Sequence, residues 1–296
     1  MKSGTCSLRA QLQATAWEDK LSIPYEEPHF FDEDEEYARG PAHYASWFDW
    51  GPEHDAPEYF VDISPSYLYI PAALGRLRRV LPHARLVVLL RNPIDRAVSH
   101  HNHDLDKGRD VGTLAERFQR ELPASAPGPK TRTDAFRRGL YATQLECLLD
   151  CFPPSQLLVV LSERYRRNPR LELQRVRSFL GLQALPEVLG VSDEAVPESF
   201  FEEKHVRAEY RESLLAGSPL RLHLQRFYAK DVQRLRELIG DTIEEWHADF
   251  GAAENSLPPA PRPCTGTRRW RTAASEKEEE APMGGEDACF QKSRRL

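Results

Sequence analysis

The chain has 296 residues, of which 40% are hydrophobic and 9% are aromatic, and its formal net charge is −6. This composition is that of a soluble globular protein and does not suggest a nucleic-acid-binding protein, which usually carries an excess of basic residues. No apolar run approaches the roughly 18 residues that a membrane-spanning helix needs, and no signal peptide precedes the first motifs. Five cysteines lie at no metal-ligand spacing, and we expect Cys147 and Cys151 to be packing thiols.

The chain opens on a loop of small residues, 2–8, that leads into a predicted helix. Gly4 lets the backbone approach a ligand closely. Backbone N–H groups at a helix start, beside Lys2, Thr5 and Ser7, can form an anion cradle. The Gly-Lys-Ser/Thr order of a Walker A loop is absent. The loop therefore predicts either an anion site or an ordinary helix N-cap.

The segment 25–32 is denser in ionisable side chains than a core segment would tolerate, since it holds Glu26, Glu27, His29 and Asp32. The proline and phenylalanine residues between them could desolvate one carboxylate and raise its pKa into the range of a general base. The alternative is a set of surface carboxylates beside a packed pair of phenylalanines.

Two unbroken aliphatic runs, Leu86–Leu90 and Leu157–Leu161, are typical of strands buried on both faces of a parallel sheet. After the first run, the proline of Arg91-Asn92-Pro93 suits the first turn of a helix. Arg91 would then lie at the carboxyl end of a strand, where open α/β sheets bind ligands, and Ser99 about two helical turns later. Both side chains could reach one phosphate. Alternatively, Arg91 caps a carboxylate and Ser99 is simply exposed.

The remaining pattern alternates helices with these strands. A short strand after Tyr59 ends at Ser64, which is predicted to cap a helix, whereas the acidic run 32–36 and residues 41–57 are predicted to be a solvated turn and a surface loop. Helices are predicted over 65–80, 111–122, 136–151, from Glu163 to 180, and over 219–239. This alternation predicts an α/β domain over residues 1–251. Residues 252–296, which are rich in proline and then in charge, are predicted to be a disordered low-complexity tail.

Several motifs occur together in a specific order. They are Lys-Ser-Gly-Thr-x-Ser-Leu at 2–8, Glu-Pro-His-Phe-Phe-Asp at 27–32, Asp-Ile-Ser-Pro-Ser-Tyr-Leu at 62–68, Leu-Arg-Asn-Pro-x-Asp-Arg-Ala-x-Ser at 90–99, Gly-Leu-Tyr at 139–141 and Phe-Leu-Gly-Leu at 179–182. With these motifs the chain resembles sulfotransferases that use 3′-phosphoadenosine 5′-phosphosulfate (PAPS), particularly heparan sulfate glucosamine 3-O-sulfotransferases and bacterial-type carbohydrate sulfotransferases. The resemblance implies a P-loop-like three-layer fold with a central parallel sheet flanked by helices.

The resemblance also implies roles for individual residues. Glu27 would be the general base, Lys2 would neutralise the leaving phosphate, and His29 and Asp32 would position the acceptor or the base. The donor-binding set that it implies is Lys2, Ser3, Gly4, Thr5, Cys6 and Ser7 at the 5′-phosphosulfate, Arg91 and Ser99 at the 3′-phosphate, Tyr141, and a polar segment with Lys204 and Arg207.

The implied acceptor is a hydroxyl of a carbohydrate, with an acidic glycan as one option. Arg137, Arg138 and the arginines of 164–167 could contact such a glycan or be ordinary exposed helix charges. The transfer that the resemblance implies needs no metal. The histidines at 100, 101 and 103 could suggest a zinc site, but on a helix they do not share a face well. Animal relatives are Golgi membrane proteins, whereas this chain shows no anchor. We expect the chain as given to be soluble, in the Golgi lumen if it is a truncated eukaryotic relative and in the cytoplasm if it is bacterial-type.

One departure from the family pattern keeps alternatives open. The strand that should carry the phosphate loop is absent ahead of Lys2, so we expect a first strand to be missing, a sheet edge to be exposed and the loop to be loosened. A truncated remnant that binds nucleotide or glycan without turnover is therefore one alternative. A P-loop kinase is another, although the chain lacks an obvious magnesium-ligand motif.

Overall fold

The computed structural model describes residues 2–14, 16, 20–52, 55–109, 111–121, 134–183 and 217–251. The strands in these ranges are β1 (Leu21–Ser22), β2 (Tyr59–Phe60), β3 (Leu86–Leu90) and β4 (Leu157–Leu161). The helices are α1 (Thr5–Ala14), α2 (Asp34–Ala38), α3 (Gly40–Ala45), α4 (Pro71–Val80), α5 (Pro93–Asp106), α6 (Leu114–Glu121), α7 (Tyr141–Cys151), α8 (Ser162–Arg167), α9 (Pro169–Leu180), α10 (Pro219–Ile239) and α11 (His247–Phe250).

The strands pair in parallel, as the aliphatic runs predict. β1 pairs with β2, with Leu21 opposite Tyr59, and β3 pairs with β4 over all five residues, from Leu86 opposite Leu157 onward. The α/β class is therefore confirmed. In the described part of the chain these pairs form two separate two-stranded sheets.

Helices cover both faces of the β3–β4 pair. Val88 and Leu90 of β3 belong to a larger apolar core that includes side chains of α4, α5, α7 and α10. Val87 and Leu89, which point to the opposite face, pack against a smaller core with side chains of α1, α8 and α9. The predicted three-layer arrangement is confirmed by this alternation, and it explains why these runs are aliphatic throughout.

A cavity of about 270 Å³ lies between the two strand pairs. Its wall contains consecutive residues from both sides, 60–65 at β2 and 84–89 at β3. Because the face of a strand presents only every second residue, the run 86–89 indicates that the edge of β3 faces the cavity, and the segment that follows β2 lines the opposite side. Side chains of several helices, including α1, α4, α5, α7 and α9, also line it. Within the described ranges, the sheet is thus interrupted between β2 and β3.

Local signals set most helix ends. The Asn92 side chain accepts hydrogen bonds from the N–H of Ile94 at 3.0 Å and of Asp95, so it caps α5, with Pro93 in the first turn. Gly181, with φ of +80°, ends α9, so that this helix stops at residue 180 as predicted.

Other predicted boundaries were wrong. The helix expected directly after Ser64 begins only at Pro71. The acidic run begins helix α2, and α3 lies in the region predicted to be a long loop. The helix predicted over 136–151 begins at Tyr141, after a 3₁₀ turn, and the one ending at Leu180 is divided into α8 and α9 by Pro169.

None of the described helices is long and apolar enough to cross a membrane. The predicted tail at 252–296 lies outside the described residues, as do Lys204 and Arg207.

Candidate active site

The loop ahead of α1 has the backbone of an anion cradle. Lys2 and Gly4 have φ of +64° and +95°, and the second value favours glycine because it lacks a Cβ. The first hydrogen bond of the helix runs from the N–H of Leu8 to the carbonyl of Gly4 at 3.0 Å. The N–H groups of Thr5 and Cys6 precede that bond and point out of the helix start. The backbone can therefore donate to an anion at this end.

This loop lies at the carboxyl ends of β3 and β4. A Cβ placed on Gly4 would be 3.8 Å from Leu89 Cδ2, in β3. The Ser162 hydroxyl, directly after β4, donates to the carbonyl of Ser3 at 2.5 Å. Both contacts place the loop at the sheet edge where parallel α/β folds bind ligands.

The side chains of the loop differ in exposure. Ser3 and Ser7 are buried, Lys2 and Thr5 are half-buried, and Cys6 is exposed. A ligand at this loop would therefore meet backbone N–H groups and the Lys2 ammonium more readily than the two serine hydroxyls.

The predicted 3′-phosphate residues lie at the end of β3 and on α5. Arg91 follows β3 directly and is half-buried, and Ser99 is half-buried on α5. Burial raises the pKa of the Asp95 carboxyl, and the nearby Arg91 charge opposes that rise. Because Asp95 and Ser99 are four residues apart on α5, they lie on the same face of the helix.

Tyr141 supports this end of the sheet from behind. Its side chain is 3% exposed, and its hydroxyl donates to the Arg91 carbonyl at 2.8 Å. Burial raises the pKa of Tyr141 to about 12, so the hydroxyl stays protonated and keeps this donor role. In this structure Tyr141 contacts the backbone of the predicted phosphate site, and donor binding by Tyr141 stays a prediction.

The structure brings the predicted acid–base residues together. His29 Nε2 lies 2.9 Å from a carboxylate oxygen of Glu27, and His29 Nδ1 lies 3.0 Å from Asp32 Oδ1. The side chains of Glu27, His29 and Asp32 are 34%, 16% and 0% exposed, respectively. The row thus begins at a carboxylate that solvent can reach and ends at one that is fully buried.

The expectation that phenylalanine rings raise the pKa of a carboxylate here was wrong for Glu27. Burial does raise the pKa of Glu27, but the hydrogen bond and charge of His29, together with other positive charges including that of Arg9, outweigh it, so the pKa lies below its usual value. Phe30 and Phe31 are fully buried and pack against Tyr44 with tilted rings in the larger core. The neighbour that lowers the pKa of Glu27 is therefore His29, which favours the charged carboxylate.

Sequence reasoning missed the residues that hold this turn. The Ser64 hydroxyl accepts from the backbone N–H of His29 at 3.1 Å and donates to Asp62 Oδ1 at 2.7 Å. Since Ser64 precedes a proline, its sequence context favours a helix cap, and only its distance from His29 in the fold reveals its actual role. Arg9 of α1 was also missed, and its side chain donates to the carbonyls of Tyr25 and Ile63.

The arginines considered for glycan contact have different environments. Arg138 is only 4% exposed and stacks over the Tyr69 ring, so neither glycan contact at the surface nor an ordinary exposed charge describes it. Arg164 is held by Asp241 and Glu245. In the histidine cluster at 100–103, the first two side chains are fully buried. Among the described residues, no group of three or more histidine, cysteine, aspartate or glutamate side chains could hold a metal ion.

Three relatives of the chain have names that contain heparan sulfate. The mouse (Mus musculus) heparan sulfate glucosamine 3-O-sulfotransferase 3B1 is 35% identical over 159 residues, which are 54% of this chain and 39% of the relative. The human (Homo sapiens) heparan sulfate glucosamine 3-O-sulfotransferase 6 is 36% identical over 159 residues, which are 53% and 44% of the two chains. The human bifunctional heparan sulfate N-deacetylase/N-sulfotransferase 2 is 29% identical over 162 residues, which are 53% and 18%. The chain therefore spans less than half the length of each of these relatives.

The chain is also similar to a solved sulfotransferase structure, and it matches a domain family. The crystal structure of a sulfotransferase from Alicyclobacillus acidocaldarius superposes with a TM-score of 0.62 at 26% identity, over 83% of this chain and 95% of that one. The sulfotransferase domain family matches residues 1–208, which is more than half of the chain. The chain has parallel strands, a loop at their carboxyl ends and the row of Glu27, His29 and Asp32, and it belongs to the sulfotransferase domain family.

Proposed function

We propose that this chain transfers a sulfuryl group from PAPS to a hydroxyl of a carbohydrate, in the manner of a heparan sulfate glucosamine 3-O-sulfotransferase. The observation that carries the proposal is the hydrogen-bonded row of Glu27, His29 and Asp32, with distances of 2.9 and 3.0 Å. Residues of the same row lie within the Glu-Pro-His-Phe-Phe-Asp motif that resembles the 3-O-sulfotransferases. Membership of the family is enough to support sulfuryl transfer as the reaction class. The row of Glu27, His29 and Asp32 supports a hydroxyl as the acceptor.

The residues present fit a donor with several negative charges. Gly4 has a backbone conformation that favours glycine, and the N–H groups at the start of α1 point out of the helix. Lys2 would neutralise charge on the 5′-phosphate side, and Arg91 with Ser99 would bind the 3′-phosphate. When bound, the donor supplies a sulfuryl group whose bond to the 5′-phosphate oxygen breaks as the acceptor oxygen bonds to sulfur.

Glu27 would take the proton of the acceptor hydroxyl. Burial raises its pKa, but the hydrogen bond and charge of His29 together with other positive charges, including that of Arg9, lower it below its usual value, so Glu27 is ionised at neutral pH. Both ring nitrogens of His29 face carboxylates and can donate to both only when the ring carries two protons. Asp32 fixes that ring from the buried side. One carboxylate oxygen of Glu27 then remains for the acceptor, and the proton ends on Glu27.

The first test is calorimetric binding of 3′-phosphoadenosine 5′-phosphate (PAP), compared with ATP and repeated with EDTA. We expect PAP to bind without a divalent cation, to be preferred over ATP, and to lose affinity in Arg91→Ala, because a bidentate guanidinium contact would be removed. Equal affinity for ATP, or an unchanged Arg91→Ala variant, would contradict the assignment of the 3′-phosphate site.

Turnover then tests the base. In an assay of sulfate transfer from PAPS to a heparan sulfate oligosaccharide, Glu27→Gln should lower kcat by about 10²- to 10⁴-fold while PAP affinity changes less than about twofold, as for loss of a general base. Glu26→Gln is the matched control, since Glu26 is the neighbouring exposed carboxylate. Equal losses in both variants would refute the role of Glu27.

A second candidate function is binding of nucleotide or glycan without turnover. The observation that favours it is the cavity of about 270 Å³ that interrupts the sheet between β2 and β3, behind the anion loop. A wild-type protein that binds PAP but transfers no sulfate to any glycan tested would support this candidate, and measurable transfer would exclude it. The kinase alternative is set aside, because the chain belongs to the sulfotransferase domain family.

A further inference from the structure

One arginine joins the helix behind the anion loop to the two segments that surround the base. Arg9 lies one turn into α1 and is half-buried. Its Nη1 donates to the carbonyl of Tyr25 at 2.7 Å, and its Nη2 donates to the carbonyl of Ile63 at 3.1 Å. The first carbonyl lies two residues before Glu27. A planar guanidinium can hold two acceptors at once in a fixed geometry, which an ammonium cannot do.

Ser64, which follows Ile63 in the chain, connects this segment to the turn that holds Glu27 and His29, here called the base turn. The Ser64 hydroxyl accepts from the backbone N–H of His29 at 3.1 Å and donates to Asp62 Oδ1 at 2.7 Å. Asp62 in turn accepts from the hydroxyls of Tyr67 at 2.7 Å and Tyr44 at 3.2 Å. Ser64 is therefore held in place by a buried network, and its hydroxyl has one proton, which goes to Asp62, and a lone pair that faces His29.

The backbone at His29 needs such support. Its φ is +50°, in the left-handed region that non-glycine residues seldom adopt. In this conformation the ring lies between Glu27 and Asp32. If the N–H of His29 lost its acceptor, the turn could relax toward negative φ and carry the ring away from Glu27.

We propose that Arg9 and Ser64 are positioning residues that together hold the Glu27 carboxylate in a fixed place relative to the anion loop at the start of α1. The Ile63 carbonyl accepts a hydrogen bond from Arg9 of α1, and the hydroxyl of the adjacent Ser64 accepts one from the backbone of His29 in the base turn. In-line transfer requires that the base, the acceptor oxygen and the donor be aligned. The hydrogen bonds of Arg9 and Ser64, together called the brace, therefore act on the rate of the chemical step. The inference rests on the proposed function.

The test is steady-state sulfate transfer from PAPS to a heparan sulfate oligosaccharide by variants of both residues. Ser64→Ala and Arg9→Gln should each lower kcat at least about tenfold, while PAP affinity and the KM values change less than about twofold, because alignment is lost and binding is not. Ser64→Thr keeps the hydroxyl and should restore most of the rate.

The pH profile separates the charge of Arg9 from its geometry. The charges that lower the pKa of Glu27 include those of His29 and Arg9, and burial opposes them. Arg9→Gln should therefore move the acid limb of kcat/KM to higher pH. Arg9→Lys keeps the charge and should restore the acid limb, but it should keep the low kcat because it cannot bridge both carbonyls. If Arg9 had only a structural role, Arg9→Lys would not separate the position of the acid limb from the value of kcat in this way.

Two controls match the substitutions elsewhere in the fold. Ser46 donates to the carbonyl of His43 at 2.7 Å, and Arg120 donates to the carbonyl of Val111 at 2.8 Å. Ser46→Ala and Arg120→Gln should leave kcat within twofold of the wild-type value, roughly the limit of assay resolution.

The outcomes distinguish the two proposals. An active wild-type protein whose Arg9 and Ser64 variants keep full kcat overturns this inference and leaves the proposed function standing. A wild-type protein that neither binds PAP nor transfers sulfate overturns the proposed function, and this inference with it. If Ser64→Ala does not fold, as judged by thermal denaturation, the comparison of Arg9→Gln with Arg9→Lys decides.

Discussion

Replacing Gly4 by alanine tests whether the backbone of the anion loop binds the donor. The new Cβ would lie 3.8 Å from Leu89 Cδ2 and 3.9 Å from Tyr165 Cδ1, which are ordinary van der Waals contacts, so a steric clash contributes little. The cost comes from the backbone, because φ at this position is +95°. Such a conformation is less favourable for an alanine than for a glycine by about 1–2 kcal/mol.

If the loop relaxes to escape this strain, the N–H groups at the start of α1 turn away from the anion. A loss of about 1–2 kcal/mol corresponds to a roughly 5- to 30-fold weaker Kd for PAP. Calorimetry with the folded Gly4→Ala variant measures this change, and thermal denaturation detects strain that is retained instead.

Gly75→Ala is the matched control for this experiment. Gly75 lies within α4, and nothing is within 4 Å of its Cβ position. Alanine there should stabilise the protein by about 0.4–1 kcal/mol and leave PAP affinity unchanged. If Gly4→Ala bound PAP as tightly as the wild type with an unchanged Tm, or if Gly75→Ala weakened binding equally, the assignment of the loop would be refuted.

Three further predictions concern pH dependence and packing. His29→Ala removes the main group that lowers the pKa of Glu27, so the acid limb of kcat/KM should move to higher pH, and an unchanged limb would contradict the coupling. Burial raises the pKa of Asp231 from 3.8 to about 6. A folded pKa above the unfolded value makes stability fall as pH rises through this window, by up to about 3 kcal/mol. Asp231→Asn should flatten the Tm profile between pH 4 and 7, and parallel profiles for the two proteins would rule this out. A Cβ on Gly139 would lie 2.7 Å from Tyr228 Cε1, so Gly139→Ala should destabilise by about 1–3 kcal/mol in urea denaturation, whereas an equal midpoint would mean that the site relaxes freely.

Elements with a strong local signal were predicted well. Leu86–Leu90 and Leu157–Leu161 form β3 and β4 with the predicted bounds, because five consecutive aliphatic residues are best buried when both faces of a strand are covered. The helix Pro219–Ile239 also has its predicted bounds, since Ser218 caps its start and Gly240, in the left-handed region, ends it.

Predictions that depended on distant neighbours were less successful. Ser64 was predicted to cap a helix, but its hydroxyl binds the backbone of His29, which is 35 residues away in the chain. Arg138 was considered a surface charge, but it is buried over Tyr69. In both cases several local environments suit the residue type, and contacts made by other segments select one of them.

The candidate site shows the same division. By itself, the sequence determined that Glu27, His29 and Asp32 belong together, because they lie within six residues and form one motif. For the loop with Gly4, the residues predicted either an anion site or an ordinary helix N-cap, and the resemblance favoured the anion site. Only the tertiary structure decided that His29 lowers the pKa of Glu27 against the effect of burial, and that Arg9 and Ser64 connect the loop to the base turn. The physical reason is that a pKa and a brace both depend on distances of a few ångströms between segments, and such distances exist only once the chain has folded.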